Sequence, residues 1–313
     1  MNKVYFEVEN LKKKICLMLM ILMIFLCACE SSTVNNTVSD ITDTEVVTDK
    51  DVCLDIVTTD RVLYYMVKSI VQDKHNVEYM FKDRNSQYNF NYTGDSLNNI
   101  GNKDLFIYMG ASYEPWANDF IGELSKNKVR VINVSRGVKI LSLSREIKYK
   151  NTTLKENPYY LLNYDNYKIA LLNIKNSIQD KDPKNRDFYE KNFNEAVKST
   201  EADQKIISTI ISQLSDYTFV YSEDKLDYFV KYNSMNNIKL FESKTNVSIK
   251  NHLKTVFLYC DSSALKDNEE FIKKYDLNTL NVKGYENDIK YEDILLLNKG
   301  LFNSYYNSVN IKK

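Results

Sequence analysis

The stretch that most constrains this chain runs from residue 182 to residue 214. Asp182-Pro183 opens a helical pattern, with Asp182 as the expected N-cap and Pro183 at the first helical position. The pattern continues to about Leu214, roughly 48 Å at 1.5 Å per residue. Phe188, Tyr189 and Phe193 make one end apolar, and Ile206, Ile207, Ile210, Ile211 and Leu214 make the other end apolar. The middle, Lys198 to Lys205, is almost entirely polar. A helix with two apolar ends and a solvated middle is a strut between two packed bodies.

Each side of the strut alternates strand and helix. Before it, strands are expected at Val52 to Thr59, Val77 to Phe81, Leu105 to Met109 and Val129 to Val134. Val62, Leu63, Met66, Val67, Ile70 and Val71 have helical spacing, with Asp60 as N-cap. Asp83 to Gly94 reads as a polar loop, and Tyr164 to Ile178 as a helix. After the strut, strands are expected at Tyr217 to Tyr221, Ile238 to Phe241, Val256 to Tyr259 and Leu277 to Val282, and a last helix at Tyr291 to Tyr306. The expected fold is α/β. It has two lobes, 52–181 and 215–313, each a mainly parallel sheet flanked by helices, joined by one long rigid helix, 182–214.

One junction stands out: Asp104 to Trp116, DLFIYMGASYEPW. A buried strand breaks at Gly110, and Glu114-Pro115-Trp116 opens the next helix. Trp116 is the only tryptophan and Pro115 one of only three prolines, so the turn is chemically distinct. Such junctions sit at the carboxyl ends of parallel strands, where open α/β sheets bind ligands.

Lys3, Lys12, Lys13 and Lys14 precede a fourteen-residue apolar stretch, Ile15 to Ala28. That is short for a membrane span and has the length of a signal segment. It ends in Leu26-Cys27-Ala28-Cys29, which resembles a bacterial lipobox. The resemblance implies cleavage after Ala28, making 1–28 a signal peptide, and a palmitate-type lipid on Cys29. An uncleaved anchor helix and an ordinary secretory signal are the alternatives. Residues 29–51, rich in Ser, Thr, Asn and Asp, read as a flexible tether.

Charge is balanced, 42 basic against 42 acidic residues, so no nucleic-acid partner is expected. No Gly-rich phosphate loop and no GxSxG elbow is present, and the chain reads as a non-enzyme. Imidazole chemistry is limited to His75 and His252, both expected at the surface. Cys53 and Cys260 remain after processing and are expected as two buried thiols, not a disulfide.

With these residues in view, the chain resembles the solute-binding lipoproteins of metal-ion ABC transporters, the zinc and manganese binders. Asp104-Leu105-Phe106, Gly110 and Glu114-Pro115-Trp116 look like that family's ADLfv…G…EpW segment. Asn157-Pro158 sits where it has DPH. Asp182-Pro183-Lys184-Asn185 with Tyr189 and Asn192 looks like DPxNxxxYxxN. The resemblance covers about Val52 to Asn307. It implies an extracellular, lipid-anchored monomer at the cell membrane, delivering a solute to a permease and its ATPase.

The ligand positions are where the chain departs from the pattern. The family uses His and carboxylate donors, which suit Zn²⁺ and Mn²⁺. The matching positions here are Tyr88, Tyr159, Glu223 and Asn281, with Asp276 as the alternative to the last. The family's His-rich loop is absent. Neutral phenols ionise near pH 10 and are poor donors to Zn²⁺ or Mn²⁺. Three readings stay open. The site has changed metal, with phenolates and a carboxylate holding a hard ion such as Fe³⁺. Or the cleft takes an organic solute or a chelated metal. Or it is ligand-free, and the protein is an adhesion or interaction lipoprotein.

Overall fold

The computed structural model describes residues 51–124, 127–241, 247–285 and 289–310. The expected signal peptide, the lipid-bearing Cys29 and nearly all of the tether lie outside the described residues. Asp51–Lys313 forms one compact unit.

The first sheet comprises β1 (Asp55–Thr58), β2 (Asn76–Tyr79), β3 (Leu105–Tyr108) and β4 (Arg130–Asn133), in the order β2-β1-β3-β4. All three pairings are parallel. Helix α1 (Arg61–Val71) connects β1 to β2, and Asp60 caps it by accepting from the Leu63 N–H. All six apolar positions named for this helix are buried. Between β2 and β3 lie α2 (Arg84–Tyr88) and α3 (Gly94–Gly101), so the stretch read as a polar loop carries a short helix. Helix α4 (Ala117–Leu124) follows β3.

An antiparallel hairpin, β5 (Ser142–Tyr149) and β6 (Thr152–Glu156), comes next and had no counterpart in the sequence reading. Then α5 (Tyr164–Lys181) leads to the long helix α6 (Arg186–Gln213). Pro183–Asn185 forms a 3₁₀ turn before α6. Asp182 therefore does not cap the long helix. Its side chain makes no capping bond and instead accepts from Asn185 Nδ2 and the Tyr189 hydroxyl.

The second sheet comprises β7 (Thr218–Tyr221), β8 (Asn237–Lys239), β9 (Thr255–Tyr259) and β10 (Asn278–Asn281), in the order β10-β9-β7-β8, again all parallel. Its helices are α7 (Asp227–Tyr232), α8 (Ser262–Asp267), α9 (Glu269–Lys274) and the terminal α10 (Tyr291–Asn310).

The polar middle of α6 is solvated on one side only: Lys198, Ser199, Glu201, Ala202 and Lys205 are exposed, as the strut reading expected. Thr200 and Gln204 are buried. Tyr164 from α5 bonds Thr200 and the Val197 carbonyl, and Gln204 reaches Ser208 and Asn233. Bonded partners remove the cost that buried polar groups otherwise carry. One apolar core runs through both lobes along this helix, from Val67 and Ile70 through Ile174, Tyr189 and Ile207 to Phe302. Each buried side chain of this size contributes about 1.5–3 kcal/mol. A shared core of this extent makes the two sheets a rigid pair. Their carboxyl ends frame a cleft.

Candidate functional site

The first wall of the cleft begins where β3 ends. Gly110, Ala111 and Ser112 all have positive φ, at 75°, 50° and 59°. For Ala and Ser that conformation costs roughly 1–2 kcal/mol each. A Cβ at Gly110 would stand 2.1 Å from Asn133 Oδ1, so no other residue fits. Glu114 holds this turn. Its Oε1 accepts from Met109 N (2.9 Å), Thr59 Oγ1 (2.6 Å) and Gln87 Nε2 (3.3 Å), and its Oε2 accepts from Gly110 N (3.0 Å). Burial pushes the Glu114 carboxyl up to about 7 despite these donors. Burial likewise lifts nearby Asp60 to about 6, with the Leu63 N–H and the Arg84 charge pulling the other way.

Trp116 then positions the candidate residue Tyr88. Its indole Nε1 donates to the Gln87 carbonyl at 2.7 Å, one residue from Tyr88 at the end of α2. Arg84 lies on the same short helix. Its Nη1 donates to the Tyr113 carbonyl (2.6 Å) and to Gln87 Oε1 (3.0 Å). Its guanidinium lies 3.9 Å from the Tyr113 ring centre and 5.3 Å from that of Tyr88.

The second wall is built from 157–160 and the loop after β7. Asn157 Nδ2 donates to the Asp224 carbonyl (2.7 Å) and to Asp227 Oδ2 (3.2 Å), and the Tyr285 hydroxyl donates to the Pro158 carbonyl. Tyr159 emerges between them, its ring near Tyr113 and Tyr285. Lys225 places its ammonium 5.3 Å from the Tyr159 ring centre while pairing with Asp261 at 2.7 Å. Glu223 accepts from the backbone N–H groups of Cys260 (2.7 Å) and Asp261 (3.1 Å). Burial raises its carboxyl above the usual range, against those two donors.

Two adjoining cavities result. One, of about 450 Å³, is lined by Tyr88 and Tyr159; the other, of about 600 Å³, is lined by Tyr159 and Glu223. Lys225, Leu143 and Ile147 border both. So Tyr159 is shared, and three of the four expected positions line these two cavities, Tyr88 the smaller and Glu223 the larger. Asn281 borders neither cavity: its Nδ2 donates to the Tyr259 and Cys260 carbonyls, tying β10 to the end of β9. Asp276, the alternative, is exposed in the turn before β10. Among the described residues no group of three or more His, Cys, Asp or Glu side chains is placed to hold a metal ion.

Two smaller expectations fail. His75 is buried, 4% exposed, because Tyr189, Asp182 and the Leu54 N–H enclose its ring. Cys53 is exposed just before β1 and Cys260 is half-buried, and neither is part of a disulfide. His252 is exposed, as expected.

The sequence reading missed Arg84, Lys225 and the hairpin. Lys225 stands two residues beyond Glu223, a position already singled out. Arg84 carried no signal before the fold brought it against Tyr88 and Tyr113.

Comparison with known proteins adds the following. The profile of the family described as zinc-uptake complex component A, periplasmic (ZnuA), matches residues 56–256. A metal ABC transporter substrate-binding lipoprotein of Lactococcus lactis is 29% identical over 210 residues, 64% of this chain and 65% of that one. The FimA lipoprotein of Streptococcus parasanguinis is 31% identical over 145 residues, 45% of this chain and 46% of its own length. The matched part thus spans less than two thirds of either relative. Among solved structures, a mutant form of the laminin-binding adhesin Lmb of Streptococcus agalactiae superposes with a TM-score of 0.62 at 18% identity, covering 82% of this chain and 99% of that one. Zn(II)-bound AdcA of Streptococcus pneumoniae gives 0.62 at 16%, covering 82% and 58%. At these identities the structural likeness speaks for the fold.

Proposed function

Because the chain belongs to the zinc-uptake complex component A family, we propose that it is the solute-binding lipoprotein of a metal-type ABC importer. It is anchored through Cys29 on the extracellular face of the cell membrane, works as a monomer, and hands its cargo to a permease driven by an ATPase. It binds; it does not catalyse.

One observation carries the reading: Tyr88, Tyr159 and Glu223, from three separate segments, line two adjoining cavities that share Tyr159. We assign them as the oxygen donors facing the cargo, with Asn281 bracing the strands behind them. Glu223 is held in place by two backbone N–H groups and has a raised carboxyl, so a bound cation would offset the cost of its charge. The donors contain no imidazole. Hard oxygen donors favour a hard ion such as Fe³⁺, or Mn²⁺, over Zn²⁺.

The test is metal content of protein purified without chelator, followed by thermal titration with Zn²⁺, Mn²⁺ and Fe³⁺, bare and chelated. Binding must raise the apparent stability by mass action. Stabilisation by one of these, with a phenolate-to-iron absorption band lost in Tyr159→Phe if the ion is ferric, supports the proposal. No stabilisation by any form of any of them sinks it.

A second reading, an adhesion or interaction lipoprotein with an empty cleft, is favoured by two observations. Neither His borders the two cavities, and the fold is shared with a laminin-binding adhesin. Binding to immobilised laminin, undiminished by Tyr159→Phe, would support it.

A further inference from the structure

We infer that Asn268 supplies an amide oxygen to the cargo ion, so that the larger cavity takes a hard divalent cation of the Mn²⁺ kind on Glu223 and Asn268. The inference rests on the metal-importer reading above and adds a donor outside the four positions that the family pattern marks.

The first observation is an orphaned acceptor. Asn268 is 2% exposed and borders the larger cavity. Its Nδ2 donates to the Ala264 carbonyl (2.7 Å) and to Ser222 Oγ (3.0 Å). A carbonyl can only accept, so these bonds fix which end of the amide is nitrogen. The Oδ1 has no hydrogen-bond partner among the described residues. Asn268 stands just ahead of α9, where an asparagine oxygen ordinarily accepts from the first turn of the helix. Here the side chain makes no capping bond. A buried acceptor left unpaired is costly, and a cation brought by the cargo removes that cost.

The second observation is charge. Four carboxylates, Glu223, Asp224, Asp261 and Asp267, border this cavity against two cations, Arg145 and Lys225. Lys225 pairs with Asp261, and Asp224 pairs with Lys239, which also holds Asp227. Counting Lys239 and Asp227 with the lining keeps the acidic excess, and so does adding Arg84 and Glu156 from the smaller cavity. Such a field draws in a cation. Glu223 takes its two hydrogen bonds from backbone N–H groups, which carry no net charge to cancel its own. The third observation is donor type. Among the described residues His, Cys, Asp and Glu nowhere cluster in threes, but an amide oxygen lies outside that set. The bond to Ser222, the residue before Glu223, ties Asn268 to the Glu223 loop, so both donors belong to the second lobe. Carboxylate, carbonyl and water oxygens suit Mn²⁺. A cavity of about 600 Å³ leaves the ion room to keep part of its water shell.

The test is calorimetric titration of the full-length lipidated protein in detergent with MnCl₂, ZnCl₂ and ferric citrate. We expect saturable Mn²⁺ binding that Asn268→Ala weakens about tenfold or more. Asn268→His exchanges the oxygen for an imidazole, which suits Zn²⁺, and should shift the ratio of Zn²⁺ to Mn²⁺ affinity toward zinc about tenfold or more. An amide that merely shapes the loop would lower both affinities together and leave that ratio alone. Should the variants fail to fold, the parent decides: in protein labelled with ¹⁵N-asparagine, bound Mn²⁺ should broaden the side-chain amide signal of Asn268. An unchanged ratio in Asn268→His overturns the inference and leaves the importer reading standing. So does an Asn268 signal that stays sharp with Mn²⁺ bound, and so does binding of ferric citrate alone. No binding of any probe removes both the inference and the importer reading.

Discussion

The hydroxyl of Tyr189 meets Nε2 of His75 at 2.7 Å, joining residues 114 positions apart between α6 and the turn before β2. The same hydroxyl donates to Asp182 Oδ2 at 2.5 Å, so it must accept from the ring. On the other side of the ring, Nδ1 accepts from the Leu54 N–H at 3.3 Å. Both contacts require a neutral imidazole carrying its proton on Nε2. Tyr189→Phe removes the hydroxyl and leaves a buried donor and a buried carboxylate without this partner. The expected loss is about 1–3 kcal/mol, read as a lower urea midpoint at unchanged slope.

Glu114 and Asp60 make the protein less stable as pH rises. Both carboxyls titrate higher in the folded state than their ordinary 4.5 and 3.8, at about 7 and about 6. The folded state therefore holds more protons than the unfolded state in that window. Their contribution is complete below about pH 4 and is lost as pH climbs through about 7. His75 acts in the opposite direction. Burial lowers its pKa below 6.5, so its contribution is present above that value and is lost as pH falls. Comparing Glu114→Gln with the parent at each pH cancels the histidine. At pH 5 the variant should be less stable by about 1–3 kcal/mol, because its amide turns a donor toward the Gly110 N–H. That gap should close or reverse by pH 8, and a gap constant from pH 5 to 8 would refute the assignment.

Lys239 holds two carboxylates at once. Its ammonium lies 2.5 Å from Asp224 Oδ1 and 2.6 Å from Asp227 Oδ1, all three side chains being about four-fifths buried or more. Those carboxylates in turn hold the cleft wall, since Asp224 accepts from Ser144 and Asp227 from Asn157. Lys239→Met leaves two like charges facing each other without a counter-ion. We expect a loss of about 3 kcal/mol, at the lower end for a broken buried pair because the groups keep some solvent contact. The double variant Lys239→Met/Asp227→Asn should recover part of it in the same denaturation assay.

What could be read in the chain follows from where the physics is local. The strands Leu105–Tyr108 and Thr255–Tyr259 are buried apolar runs, and α1 shows its buried face in its spacing, so their existence was legible. The hairpin was not, because β5 is exposed along most of its length and has no apolar face to betray it. His75 stands among Asp73, Lys74 and Asn76 and looks solvated; only a partner 114 residues away buries it. Thr200 and Gln204 looked like a wet middle for the same reason, their partners being Tyr164 on α5 and Asn233 beyond β7. At the cleft, the family pattern pointed to Tyr88, Tyr159 and Glu223, which line the two cavities, and to Asn281, which does not. The cations set against the tyrosines are tertiary facts with no local signature.

The hairpin straps one lobe to the other, and this sets its own test. On one side, Tyr149 packs edge-on against Tyr88 at 5.2 Å between ring centres, and Lys150 donates to Asn91. On the other, Ser144 N donates to Asp224, and the Tyr228 hydroxyl accepts from Leu141 N just ahead of the hairpin. Tyr149 is the informative residue, because its buried hydroxyl has no hydrogen-bond partner among the described residues. Tyr149→Phe keeps the ring contact and removes an unsatisfied group, so stability should hold or rise by about 1 kcal/mol. Tyr149→Ala removes the ring pair, worth about 1 kcal/mol beyond its burial. Hairpin amides should then exchange with solvent roughly fivefold faster or more, while those of β1 and β3 keep their protection. Equal acceleration in all these strands would mean global destabilisation and would count against a strap that opens separately. Unchanged hairpin exchange would mean that Tyr149 does not fasten it.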